Sequence, residues 1–141
     1  MSEKPELTVS VVTPDGKVYE NQSTLVICKT TEGELGIMPN HTPVLASLAI
    51  DEIRVKVAED HFDEIAISGG FLEFSDNTLS IVASAAERKE SIDTSRAERA
   101  RKRAEKRIEE ARNKHDDSEL KRAEISLKRA INRIKVSGSS K

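Results

Sequence analysis

The sequence has no tryptophan and only four other aromatic residues, Tyr19, Phe62, Phe71 and Phe74, and none lies beyond position 74. The second half therefore offers no platform on which nucleic-acid bases could stack. It also lacks the bulky aromatic face that anchors a helix in a membrane surface. A single cysteine, Cys28, excludes an internal disulfide. Within the apolar run Leu25-Val26-Ile27-Cys28 it reads as a small buried hydrophobe, and a lone thiol fits a reducing compartment. No apolar stretch approaches the roughly 20 residues that span a bilayer. Met1-Ser2-Glu3-Lys4-Pro5-Glu6 has no apolar core, so no signal peptide is expected. His41, His61 and His115 are scattered without metal-ligand spacing. No GxSxG, GxxxxGK[ST] or GxGxxG run occurs. An independent enzyme is not expected, because no catalytic constellation can be assembled.

What is present is a strong asymmetry. The 141 residues suffice for one or two small domains. Residues 1–88 carry 6 Lys/Arg against 15 Asp/Glu, a net of −9, whereas residues 89–141 carry 17 against 10, a net of +7. Two such halves attract each other or serve different partners.

The first half alternates like β structure. Leu7-Thr8-Val9-Ser10-Val11-Val12-Thr13 is β-branched and ends at Pro14-Asp15-Gly16, where proline presets φ and glycine takes positive φ. Further strands are predicted at Val18–Glu20, Leu25–Thr30, Leu35–Met38, Val44–Leu48, Ile53–Val57, Phe62–Ile67, Phe71–Phe74 and Thr78–Val82. Turns are predicted at 31–34, at Glu59-Asp60 and at Asp76-Asn77. Ser68-Gly69-Gly70 reads as a bulge or close backbone approach rather than a phosphate loop. The pattern predicts an antiparallel β-sandwich or small barrel over 1–88.

From residue 89 the period changes. Ser91 or Asp93 is a candidate N-cap for a helix starting near Thr94. Ala97, Ala100, Ala104, Ile108 and Ala111 form one helical stripe. Residues 113–118 break it and supply caps. Leu120, Ala123, Leu127, Ala130, Ile131 and Ile134 form a second stripe, and Ser137–Lys141 reads as a frayed tail. Two stripes across a short loop predict an antiparallel αα-hairpin over 89–141. The fold class is thus α+β, a β-sandwich followed by a helical hairpin. Alanine allows close approach but buries little: a Leu or Ile contributes roughly 1.5–3 kcal/mol when buried, against about 1–2 kcal/mol to order each residue. Such a hairpin should be marginal alone and depend on docking or a ligand.

Arg122, Arg129 and Arg133 fall within roughly 40° of one another on the second helix, about 120° from its apolar stripe. Arg96, Arg103 and Arg107 form a matching row on the first. Pairing the stripes would bring both rows to a common edge, which suits a polyphosphate because each guanidinium donates bidentate hydrogen bonds. The alternative is a solvated basic face balanced by Glu98, Glu105, Glu109, Glu110 and Glu124. Charge also permits nucleic acid. The missing aromatics and the interleaved acids argue against it.

The layout resembles the epsilon subunit of bacterial F-type ATP synthase, in the style of Bacillus-like Gram-positive bacteria, over nearly the whole chain. The resemblance lies in Val11–Gly16, in Glu32-Gly33-Glu34-Leu35-Gly36-Ile37-Met38-Pro39-Asn40-His41-Thr42-Pro43, in Ser68–Glu73 and in Ala85-Ala86-Glu87-Arg88. It implies a non-catalytic subunit on the cytoplasmic face of the plasma membrane, touching membrane only through the complex. Its partners would be the gamma subunit, the membrane c-ring and the alpha/beta catalytic ring, with no nucleic acid. The sandwich would couple rotation to catalysis, and the hairpin would inhibit ATP hydrolysis when extended. In some family members ATP holds the hairpin folded, as a regulatory ligand and not a catalytic cofactor. Their motif is matched by Ile92-Asp93-Thr94-Ser95-Arg96-Ala97 and by Arg122, Arg129 and Arg133, with Glu87 as an associated carboxylate. Asp93 reads equally as a cap alone and as a partner for the adenosine moiety or for Arg96. Glu32, Glu34 and His41 match interface positions toward the rotor and gamma. Asn40 departs from the family, where glycine is common.

Overall fold

Branched apolar residues alternating with polar ones form strands throughout the first part of the computed structural model, which describes residues 4–138. The strands are β1 (Leu7–Thr13), β2 (Gly16–Ser23), β3 (Val26–Thr30), β4 (Gly33–Ile37), β5 (Val44–Ala58), β6 (His61–Ser75), β7 (Thr78–Ala83) and β8 (Ala86–Arg88). The chain divides into two compact units between Lys89 and Glu90.

In the first unit the strands form one hydrogen-bonded path, β2-β1-β7-β6-β5-β3-β4, with β8 also paired to β6. The expected antiparallel pairing holds except between β1 and β7, which run parallel with Thr8 opposite Thr78 and Val12 opposite Val82. A parallel pair needs a long crossover, and here strands β2 to β6 supply it. That pairing is non-local, so no short sequence window reports it. The buried residues Leu7, Val9 and Val11 of β1, Val26 and Cys28 of β3, and Ile53 and Val55 of β5 belong to one core cluster.

Local chemistry sets the turns. Thr13 Oγ accepts from Asp15 N–H at 3.1 Å and donates to Gly16 O at 3.3 Å. The same device recurs at Thr30, which accepts from Glu32 N–H at 3.1 Å and donates to Gly33 O at 2.7 Å. Asp76 and Asn77 both take positive φ, 50° and 56°, the two-residue turn whose twist matches a hairpin.

Two predicted breaks are absent. β5 runs through Ile50-Asp51-Glu52 and β6 runs through Gly69-Gly70, in continuous register from Val44 opposite Phe74 to Lys56 opposite Phe62. What changes is the face turned inward. Leu48 is buried on β5, but farther along it is Ile53 and Val55; on β6, Ile65 and Ile67 give way to Leu72 and Phe74. The parity switch lies at Gly69 and Gly70, whose φ values are 89° and 131°. A Cβ on Gly70 would stand 2.1 Å from Val82 O. The glycine pair is therefore a close backbone approach inside a strand.

The second unit is a helical hairpin, α1 (Thr94–Asn113) and α2 (Asp117–Ser137), preceded by a 3₁₀ turn at Lys89–Ser91. Asp93 caps α1, accepting from Arg96 N–H at 3.0 Å, and Asp116 caps α2, accepting from Glu119 N–H at 3.1 Å. Ala97, Ala104 and Ala111 are buried on α1, and Ala123, Ala130 and Ile134 on α2. Two expectations need correction. Ile131 is 47 % exposed, because it stands at the margin of a seam that alanine makes narrow. Ser137 closes α2 and Gly138 is its left-handed cap at φ 85°, so the tail begins later than expected; residues 139–141 lie outside the described residues.

Burial pushes the Cys28 thiol up to about 12. An unfolded thiol ionises near pH 8.5, so the folded state holds its proton where the unfolded state loses it. Stability from this group is complete below about pH 8.5 and is lost as pH rises toward 12, at up to ~1.4 kcal/mol per pH unit. Chemical denaturation between pH 8 and 10 should show this slope, and Cys28→Ala should remove it. Separately, Gly70→Ala should destabilise the sandwich by roughly 2–4 kcal/mol in urea titration, since it combines a backbone collision with a strained φ.

Candidate functional site

The seam between the helices decides where charge collects. Alanines at 97, 104 and 111 face inward, so residues one position before them in the heptad, 96 and 103, lie together on a flank with 107. On α2 the same logic places Arg122, Arg129 and Arg133 on one flank. The two flanks meet. Arg103 and Arg107 of α1 and Arg129 and Arg133 of α2 line one open cleft of about 280 Å³. Ser126 stands beside them, and Ala100 and Ala104 lie beneath. Among the described residues, the Arg103 and Arg129 side chains make no hydrogen bond or ion pair. Arg107 is engaged: its Nε–H and Nη2–H donate to Glu119 Oε1 at 3.0 and 2.7 Å.

The opposite flank of α1 is neutralised internally. Arg101 donates to Glu98 at 2.7 Å and to Glu105 at 3.1 Å. The Glu98 hydrogen bond, with the charge of Glu105, pushes that guanidinium pKa above its ordinary value. The cationic cleft lies away from that network, lined by four arginines and no acidic residue. It can hold an anion with several acceptor oxygens, because guanidiniums from two helices converge on one volume.

The residues singled out from the sequence fall in several places. Arg129 and Arg133 line the cleft; Arg122 lies beyond it, with Nη1 3.9 Å from Glu119 Oε2. Arg96 is exposed, Ala97 buried and Ile92 half-buried around the cap residue Asp93. Glu87 belongs to the first unit, on β8 opposite Ala66. Arg103 and Arg107 line the cleft although the family motif singles out only Arg96 from their row; their helical spacing was the available signal. Glu119 carried no signal of its own.

In the first unit, Glu32 sits at the exposed β3–β4 turn and Glu34 pairs with Lys29 at 3.7 Å. His41 packs edge-on against Phe74, with ring centroids 6.0 Å apart, and its Nδ1 lies 2.6 Å from Thr42 O. Asn40 adopts φ 68°, a left-handed conformation that asparagine tolerates and glycine shares. Its side chain and backbone N–H are tied to the Asn77 side chain at 3.0 and 2.6 Å. The backbone here is of the kind a glycine would take, so the departure at Asn40 need not alter it. Met38 and Leu45 stand 60 % and 71 % exposed near this loop. Among the described residues no cluster of His, Cys, Asp and Glu could hold a metal, and no helix is long and apolar enough to cross a membrane.

Comparison with known proteins places this architecture. Residues 6–89 match the ATP synthase delta/epsilon chain β-sandwich domain, and residues 90–138 match the long α-helix domain of the same chain. The ATP synthase epsilon chain of Ligilactobacillus salivarius is 73 % identical over 137 residues, covering 97 % of this chain and 99 % of the relative. That of Pediococcus pentosaceus is 59 % identical over 138 residues, covering 97 % and 99 %. In the cryo-EM structure of the Euglena gracilis mitochondrial ATP synthase, one chain superposes with a TM-score of 0.76 at 21 % identity, covering 94 % of this chain and 81 % of that one. A chain of the central stalk/c-ring structure from Tetrahymena thermophila gives 0.51 at 18 % identity, covering 64 % and 72 %. These two likenesses carry the fold alone. Matched along nearly its whole length by both domain families and by close relatives, the chain belongs to the ATP synthase delta/epsilon chain family.

Proposed function

We propose that this chain is the central-stalk epsilon subunit of a proton-translocating F-type ATP synthase, with a hairpin that inhibits ATP hydrolysis when extended and is held folded by ATP. It performs no catalytic step itself. The sandwich docks the gamma subunit and the membrane c-ring, and the extended hairpin reaches the alpha/beta ring. The complex sits at the cytoplasmic face of the plasma membrane, where this subunit is peripheral. Support for the docking role comes from the epsilon-chain names of the close relatives and from the exposed apolar residues Met38 and Leu45, Met38 being joined to His41 by a backbone hydrogen bond.

One observation carries the ATP reading: Arg103, Arg107, Arg129 and Arg133 converge on a single cleft. A triphosphate supplies the oxygens that this many guanidiniums require. Arg96 lies two helical turns, roughly 10 Å, before Arg103. That is within reach of one extended nucleotide, which leaves Ile92, Asp93 and Ala97 toward its nucleoside end. ATP at 100 times its dissociation constant would then favour the folded hairpin by about 2.7 kcal/mol, if it binds only that state. This is enough to reposition an element sealed mainly by alanine.

The Arg107–Glu119 pair favours a second reading, in which the hairpin is a mechanical or inhibitory element that binds no nucleotide, since one guanidinium is already satisfied from within.

Calorimetry of the purified chain with ATP and ADP, with and without magnesium, separates the two. Saturable ATP binding is expected, weakened about 10- to 100-fold by Arg129→Ala or Arg133→Ala, as for loss of charged hydrogen bonds. Binding that is absent, or indifferent to both substitutions, sinks the nucleotide reading. In the assembled complex, deleting residues 89–141 should raise hydrolysis more at low ATP than at high ATP. An equal rise at both concentrations would support the mechanical hairpin instead.

A further inference from the structure

We propose that Glu119 is a built-in competing anion of the arginine cleft, holding Arg107 in the unliganded hairpin and setting how tightly a phosphate ligand must bind to displace it. The inference rests on the anion-site reading of that cleft. Glu119 stands at the third position of α2, where an acidic residue ordinarily reaches back to the N–H of the cap residue. Here that N–H is already taken: Asp116 N–H donates to Ala111 O at 2.9 Å. The carboxylate turns to the arginines instead. One oxygen accepts from Arg107 at 3.0 and 2.7 Å across the hairpin, and the other lies 3.9 Å from Arg122 on its own helix. A single carboxylate thus bridges the basic rows of both helices at the end of the cleft.

Both side chains of the Arg107–Glu119 pair remain partly open to solvent, 43 % and 34 % exposed. A pair of this kind shifts an equilibrium only about 1.5- to 5-fold, too little for a main brace of the fold. It is of the right size to tune affinity. An arriving phosphate meets a guanidinium whose best donors are occupied and a fixed negative charge beside it, and both effects weaken binding. Once displaced, Glu119 can return to solvent without leaving a buried charge. Affinity is thereby held down without loss of the phosphate-binding arginines.

The test uses the full chain with inorganic tripolyphosphate and with ATP, each titrated calorimetrically into wild type, Glu119→Gln and Glu119→Ala. Both variants should bind both ligands about 3- to 10-fold more tightly, through loss of the competing pair and of like-charge repulsion. In an Arg107→Ala background the gain from Glu119→Gln should largely disappear. A simple structural brace predicts the contrary: a lower thermal midpoint and equal or weaker binding. Saturable wild-type binding that neither variant strengthens would overturn the competing-anion role while leaving the anion site intact. If no form of the chain binds tripolyphosphate or ATP saturably, the cleft is not an anion site and both readings fall.

Discussion

The distance between two helices is set by the side chains in their seam, and here the seam is alanine. Ala97, Ala104 and Ala111 of α1 and Ala123 and Ala130 of α2 are its fully buried residues, with Ile134 the larger apolar side chain beside them. Larger residues would hold the axes apart and spread the flanking positions. Close approach brings Arg103 and Arg107 to the same cleft as Arg129 and Arg133. The basic cleft is therefore a consequence of small residues placed seven apart, and substituents that widen the seam would dismantle it without touching an arginine.

The same seam makes the hairpin energetically weak. Methyl groups bury little apolar surface, and the apolar term scales with area. Bringing four cations together adds repulsion, about 1 kcal/mol per pair at 4 Å in water and more where solvent is partly excluded. Glu119 relieves part of that by pairing with Arg107. An external polyanion relieves more of it, because it can meet several guanidiniums together. Weak packing and concentrated charge are both what the proposed anion-responsive hairpin requires.

Much of this was legible in the sequence where the signal is local. The two Thr-x-x-Gly turns, the Asp76-Asn77 turn and the Asp93 cap each declare themselves within four residues. The arginine rows were legible because helical spacing is a strict rule and the residues are exposed. Non-local features were not. The parallel pairing of β1 with β7 joins residues some 70 positions apart. The continuity of β5 and β6 was hidden because the inward face changes parity at the glycine pair, so the alternation stops and restarts as it would between separate strands. Ile131 read as core because it is apolar, although the narrow seam leaves it half in solvent. Glu119 was silent for another reason: its spacing from Asp116 is that of a helix cap, and only the hydrogen bond from Asp116 to Ala111 shows it relieved of that duty.

The two units suit different tasks for physical reasons. In the first, a buried aliphatic core and a continuous sheet path couple the strands, and local opening would expose many apolar groups at once. Such a body suits the coupling role proposed for it. The hairpin, sealed largely by small residues, buries less apolar surface, so under the proposed function a few kilocalories per mole from a ligand would decide its state. A sensor built into the sandwich would have to work against the full stability of its core, and its response to a modest change in ligand concentration would be lost. On the proposed function, arginines on the weakly sealed element would let ordinary binding energy become a change of conformation.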